Sequence, residues 1–222
     1  HVDAAYGGGV LLSEKRTGLL KGIETADSIT IDPHKWFYAP LDAGSILVKD
    51  KRQLTLSFGI QPSYLKDNID NDRFQYFVHS FEQSRRFRSL KVWMSFKRYG
   101  TRQLGRWIDS NIDQAEHLYK LCKEDRILRP AVNPLMSAIC LRFDSDKLSR
   151  SEVDLLHYEV SRKAELSGKF WISTTELKGR VFFRINPVNF RTRLKHIEEL
   201  YNFLRKECLE MESKLVKLSG GN

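Results

Sequence analysis

A chain of 222 residues, 41% of them hydrophobic and 29% charged, has the composition of a globular protein with room for one sizeable core. Its net charge of +9 arises from 37 basic residues scattered among 28 acids, with no nucleic-acid recognition motif, so no nucleic-acid partner is expected. No apolar run approaches the ~20 residues of a membrane span, so no membrane partner is expected either. Cys122, Cys140 and Cys208 have neither metal-ligand spacing nor an even count, and they point to a reducing compartment, the cytoplasm. His79, His117, His157 and His196 are too dispersed for a metal site, and none is expected.

Three short strands are expected first: before Asp3, over Ser28 to Asp32, and over Gly44 to Val48. The middle one alternates, with Ile29 and Ile31 on one face and Ser28, Thr30 and Asp32 on the other. A polar, helix-capable stretch from Ser13 to Gly22 separates the first two. Strand, connection and strand in this order suit an α/β layer, in which ligands bind beyond strand ends, where Asp3 and Lys35 fall. Residues 60–76 are polar and rich in Asn and Asp, as in a mobile surface loop. A helix is expected from about Ser89, with Leu90, Val92, Trp93 and Phe96 as its apolar stripe, interrupted at Gly100. A second helix should follow from about Thr101 to Lys123. The remainder reads as a small α+β domain. Its elements are a strand over Met136 to Phe143, a helix over Ser149 to Ser167 capped by Ser149 or Ser151, a strand pair joined near Leu177-Lys178-Gly179, and a long amphipathic helix from Arg191 to about Leu218.

The chemistry concentrates in Ile31-Asp32-Pro33-His34-Lys35-Trp36 and in Asp3 of HVDAAYGGG. A lysine beside a strand end can form an imine with a cofactor aldehyde, and a carboxylate on the neighbouring strand can hold a protonated pyridine nitrogen. That pair points to pyridoxal 5'-phosphate (PLP). His34 is a candidate phosphate donor or orienting neighbour. Asp32 is harder to place, because an anion is unfavourable beside a phosphate. Taken singly, an exposed lysine is a surface residue and an aspartate in a turn is a turn residue. The combination carries the reading.

HVDAAYGG, ADSITIDPHKW, SRRFRSLKVW and KRYG together resemble the C-terminal half of the group II PLP-dependent decarboxylases, of the aromatic-L-amino-acid, tyrosine and histidine decarboxylase type. The motifs are strong from His1 to about Gly100 and diffuse beyond. The resemblance implies an α/β, fold-type I, transferase-like fold. Residues 1–90 would be the C-terminal portion of the PLP-binding large domain, and residues 91–222 the small C-terminal α+β domain. It implies that Lys35 bonds to the cofactor, that Asp3 holds the pyridine nitrogen, that Ala5 packs against the ring and that His34 lies near the phosphate. Asp32 departs from the asparagine of the animal enzymes. Tyr64 matches the tyrosine of the catalytic loop, thought to protonate the substrate carbon after CO2 leaves; relatives with Phe there tend toward aldehyde synthesis. Ser84 stands where the family varies between Gly and Ser, and Ser implies a phenolic or imidazole substrate (tyrosine, DOPA or histidine) in preference to tryptophan; it also has the makings of a helix cap. Arg85, Arg86 and Arg88 are expected in structural ion pairs within a buried connection.

In the family, the histidine that stacks on the ring and most phosphate donors lie upstream of the position of Asp3. The opening at His1-Val2-Asp3, without Met or signal peptide, is accordingly read as the C-terminal part of something longer, whose partner half or subunit completes the site, the whole forming a homodimer. Alternatives are another fold-type I PLP reaction, such as aldehyde synthesis, or a catalytically silent partner subunit.

Overall fold

The computed structural model describes residues 1–59, 63 and 74–219. Most of the expected loop over 60–76, Tyr64 included, lies outside them. The chain divides into two compact units, His1–Arg106 and Trp107–Asn222. The division falls within the helical run that follows residue 88.

In the first unit, β1 (Val2–Asp3) pairs in parallel with β2 (Ser28–Ile31), and β2 pairs antiparallel with β3 (Ser45–Val48). The helix-capable stretch over Ser13 to Gly22 that connects β1 and β2 does not form an α-helix. The connection is a series of 3-10 turns at Gly7–Leu12, Thr17–Leu20 and Ile23–Thr25. Ser13 Oγ accepts the backbone N–H groups of Lys15 (3.2 Å) and Arg16 (2.9 Å), an alternative to helical bonding, and Gly22 adopts φ 94°. So short a stretch has little helical stability to set against these.

Close approach explains the glycine run. A Cβ on Gly8 would lie 3.0 Å from Ile31 Cγ1, and one on Gly9 would lie 2.7 Å from Trp36 Cβ. The 3-10 turn therefore lies directly on the apolar side of β2, where Ile31 and Trp36 are buried. After β2 comes the single-turn α1 (Pro33–Trp36), started by a proline whose fixed φ suits the first helical position. α2 (Arg52–Phe58) follows β3. α3 (Arg88–Asp125) is one run broken at Gly100, whose φ 72° and ψ 158° are not helical, as the sequence led us to expect.

The second unit is a four-stranded antiparallel sheet in the order β4 (Leu128–Pro130), β5 (Ile139–Phe143), β7 (Arg180–Ile185), β6 (Ser173–Leu177), with α4 (Arg150–Leu166) and α5 (Leu194–Ser219). The short β4 carries no strand pattern of its own and exists by pairing Leu128 with Phe143. Ser149 caps α4 in a full capping box with Glu152. Lys178 (φ 51°) and Gly179 (φ 69°) make the two-residue turn between β6 and β7, both in the left-handed region that such a turn requires. Leu118, Leu128, Leu141, Leu156, Phe183 and Leu204 form the fully buried centre of the core. Cys122 and Cys208 are free thiols within it, and burial pushes Cys122 up to about 12. Among the described residues no helix is long and apolar enough to cross a membrane, and no cluster of His, Cys, Asp or Glu is arranged to hold a metal ion.

Candidate active site

The β1–β2 register decides which side chains meet. Asp3 pairs with Thr30 and Val2 with Ile29. Side chains alternate along a strand, so His1 and Asp3 share the face of Ser28, Thr30 and Asp32, opposite Ile31. The bonds agree: His1 Nδ1 lies 2.8 Å from Ser28 Oγ, and His1 Nε2 lies 3.2 Å from Thr30 Oγ1. On β1 and β2 one face is thus apolar, with Ile31 covered by the chain's own 3-10 turn at Gly8. The other presents imidazole, carboxylates and hydroxyls.

Backbone hydrogen bonds carry the pairing past the strand ends. Ala4 N–H donates to Thr30 O at 3.0 Å, and Asp32 N–H donates to Ala5 O at 3.0 Å. Asp3 Oδ1 accepts the Ala5 N–H at 3.0 Å, which fixes the exposed carboxylate against its own turn. Half-buried Ala5 therefore joins the Asp3 turn to the start of the Lys35 helix through its two backbone groups.

Lys35 is exposed, and its Nζ lies 2.9 Å from Asp32 Oδ2. Asp32 occupies the N-cap position of α1, yet among the described residues its carboxylate caps no N–H of that helix. The carboxylate is turned to the lysine instead. A Cβ at Gly44 would sit 3.2 Å from Asp32 Oδ1, so the glycine leaves the carboxylate its space. His34 Nδ1 is held at Ala43, 2.6 Å from the carbonyl oxygen and 3.1 Å from the nitrogen, and Nε2 points toward Asp32 Oδ2 at 3.9 Å. The structure thus places Asp3, Ala5, Asp32, His34 and Lys35 at or just beyond the C-terminal ends of the paired strands β1 and β2. Tyr64 lies outside the described residues.

Ser84 is exposed and lies four residues before α3 begins, so it does not cap that helix. The arginines beside it are paired as expected. Arg88 Nε lies 3.0 Å from Asp42 Oδ2 and its Nη1 2.9 Å from Glu82 Oε2; Arg86 and Lys91 also reach Asp42, at 3.2 and 3.5 Å. The Arg88 hydrogen bond holds Asp42 down at about 2. The connection is not uniformly buried, since the Arg86 side chain is 75% exposed.

Sequence reasoning missed three supports. Tyr6 stacks on Trp36 with centroids 4.4 Å apart, bracing α1 from behind. The Tyr38 phenol is packed nearby, and burial raises its pKa well above the ordinary range. Asp42 gathers cations from the segment carrying Ser84 onto the loop that follows Lys35. The aromatic pair Tyr6 and Trp36 carried a faint signal, because Tyr6 precedes a glycine run and Trp36 follows the candidate lysine; the Asp42 cluster carried none.

The conserved domain of pyridoxal-dependent decarboxylases matches residues 1–144 of this chain. The chain belongs to the group II PLP-dependent decarboxylase family. The aromatic-L-amino-acid decarboxylase of Bacillus atrophaeus is 32% identical over 206 residues, covering 90% of this chain and 42% of that protein. A phenylacetaldehyde synthase of Arabidopsis thaliana is 30% identical over 210 residues, covering 94% and 43%. Among solved structures, Oryza sativa TDC with PLP and tryptamine superposes with a TM-score of 0.85 at 27% identity, over 96% of this chain and 44% of that one. The chain spans less than half the length of these relatives. The fold-type I expectation is met by these neighbours, and the mixed α/β architecture agrees with it.

The donor set fits PLP, the family's cofactor. An amine (Lys35), a carboxylate (Asp3) and an imidazole (His34) follow the neighbouring ends of β1 and β2, with the small Ala5 bonded to both segments through its backbone.

Proposed function

We propose that this chain supplies the lysine-bearing and aspartate-bearing part of a PLP-dependent carboxy-lyase that converts an L-amino acid to its amine and CO2. The observation that carries the reading is the joining of the Asp3 turn to the Lys35 helix by paired backbone bonds on one polar sheet face. Bound PLP supplies an electron sink for the carbon that loses carboxylate. Lys35 offers the amine that anchors the cofactor aldehyde. Asp3, pinned at Oδ1 by Ala5 N–H, holds a proton on the pyridine nitrogen, and the small Ala5 side chain leaves room for a flat ring. His34, fixed through Nδ1, presents Nε2 as a phosphate donor. Tyr64 returns a proton to the substrate carbon. Ser84 borders the substrate side chain.

The substrate class we assign is aromatic: tyrosine, DOPA or histidine. The curated relatives named aromatic-L-amino-acid decarboxylase and tyrosine decarboxylase support this, together with Ser84. Aldehyde synthesis is the second reading, favoured by the phenylacetaldehyde synthase relative and opposed by Tyr64. The remaining half of a full-length relative, whether joined to this chain or separate, completes the site, and the complete unit works as a cytoplasmic homodimer. The test is borohydride reduction of the PLP-loaded complete protein followed by peptide mass analysis, with CO2 release from tyrosine, DOPA, histidine, tryptophan, glutamate and aspartate measured beside it. A pyridoxyl mass on Lys35 and preferential release from the first three are expected. Lack of label on Lys35 overturns the site, and equal or greater release from the acidic amino acids overturns the substrate class.

A further inference from the structure

We propose that Asp32 is the counter-ion of uncombined Lys35, a positioning residue that holds the free amine and restrains its reaction with an aldehyde. The inference deepens the proposed function and rests on it for its biological meaning. Three observations carry it. The Asp32 carboxylate contacts Lys35 Nζ at 2.9 Å, whereas His34 Nε2 is 3.9 Å away and so outside hydrogen-bonding distance. Asp32 also sits where an aspartate ordinarily caps a helix, but its carboxylate is turned from the backbone to the lysine. Finally, its main chain is fixed at both sides, with its N–H on Ala5 O at 3.0 Å and its C=O accepting Lys35 N–H at 2.9 Å. The carboxylate is therefore delivered to Nζ by a rigid turn, and Gly44 leaves it space.

The chemistry follows from the lone pair. An ammonium paired with a carboxylate has none to offer. Addition to an aldehyde requires one proton to leave Nζ for solvent. The freed lone pair then forms the C–N bond as the C=O π bond opens, and the carbonyl oxygen departs as water with the two hydrogens left on Nζ. Release from Asp32 is thus the first requirement for combination, and Asp32 is the acceptor waiting whenever Lys35 is set free again.

The experiment labels lysines of the complete, cofactor-free protein with formaldehyde and cyanoborohydride, quantified by peptide mass analysis, with the exposed Lys214 as internal reference. Asp32→Asn is expected to speed methylation of Lys35 relative to Lys214 by about three- to five-fold, the scale of a partly exposed ion pair. Asp32→Glu, which restores the charge, is expected to return the rate toward that of the unaltered protein. An unchanged Lys35 rate in Asp32→Asn, or an Asp32→Glu rate matching Asp32→Asn, overturns the proposal. The same samples treated with PLP and borohydride separate the two readings: Lys35 that takes PLP but ignores the Asp32 substitutions defeats only the counter-ion, and Lys35 that obeys them but never takes PLP defeats only the proposed function.

Discussion

Acid should destabilise the second unit through one buried histidine. His157 is fully buried; its Nδ1–H donates to Val153 O at 2.7 Å and its Nε2 accepts the Phe143 N–H at 3.1 Å. Both ring nitrogens are therefore committed to the neutral form, one as donor and one as acceptor. Burial is the largest influence and Arg142 adds to it, while the bond to Val153 O, Asp154 and Asp144 oppose; together they hold His157 down at about 4 from an ordinary 6.5. A histidine with a depressed folded pKa stabilises the fold above its unfolded pKa, because the unfolded chain binds a proton that the folded one refuses. That stability is lost as pH falls from about 6.5 toward about 4 and levels off below. A shift of that size corresponds to about 3 kcal/mol, with a slope approaching ~1.4 kcal/mol per pH unit inside the window. The assay is urea unfolding followed by far-UV circular dichroism from pH 7.5 to 4.5, comparing the unaltered protein with His157→Gln, whose amide does not titrate. The variant should start less stable but lose far less over this range. Asp154, held low by its bonds to Arg142 and Val181 despite burial, loses its contribution only in the more acidic carboxylate range, so the difference between the two proteins isolates the histidine. Parallel curves for the two proteins would refute the reasoning.

Gly9→Ala should cost roughly 1–3 kcal/mol by forcing a methyl against Trp36, read as a lowered unfolding midpoint together with a shifted tryptophan emission. Asp42→Asn should free the segment around Arg86 and Arg88, seen as faster tryptic cleavage there with the far-UV spectrum unchanged; unaltered cleavage would show that Asp42 does not hold the segment. Ser149→Ala removes one half of a reciprocal cap and should lower stability by ~1 kcal/mol, while Ser149→Asp should keep most of it.

Much of the architecture was legible because local chemistry and global fold agree. Alternation marked β2, Gly100 marked the break in α3, Ser149 marked the start of α4, and Lys178-Gly179 marked the hairpin. The failures have one cause in common, which is dependence on partners distant in sequence. The stretch from Ser13 to Gly22 is polar enough for a helix, but Ser13 captures the backbone N–H groups a helix would use. β4 is a strand only because β5 pairs with it. At the site, Asp3, His34 and Lys35 were visible as residue types in a recognisable string. The contact between Asp32 and Lys35 was not, since an aspartate three residues before a lysine could equally have capped the turn. The Asp42 cluster gathers residues 46 positions apart, which no local pattern records.

The two-residue β1 has a consequence for folding fidelity. Slippage of its pairing by one residue would turn a strand over, delivering valine or alanine where the carboxylate of Asp3 belongs. The ladder, even extended by the Ala4 and Asp32 backbone bonds, is a short one to hold that register. The safeguard lies on the other face, where Ile31 fits against Gly8 only when the apolar side of β2 faces the 3-10 turn. The glycines thus act as a proofreading surface for the side chains on the opposite face, and side chains added there would be expected to displace Asp3 from its place beside Thr30 before they unfold the protein.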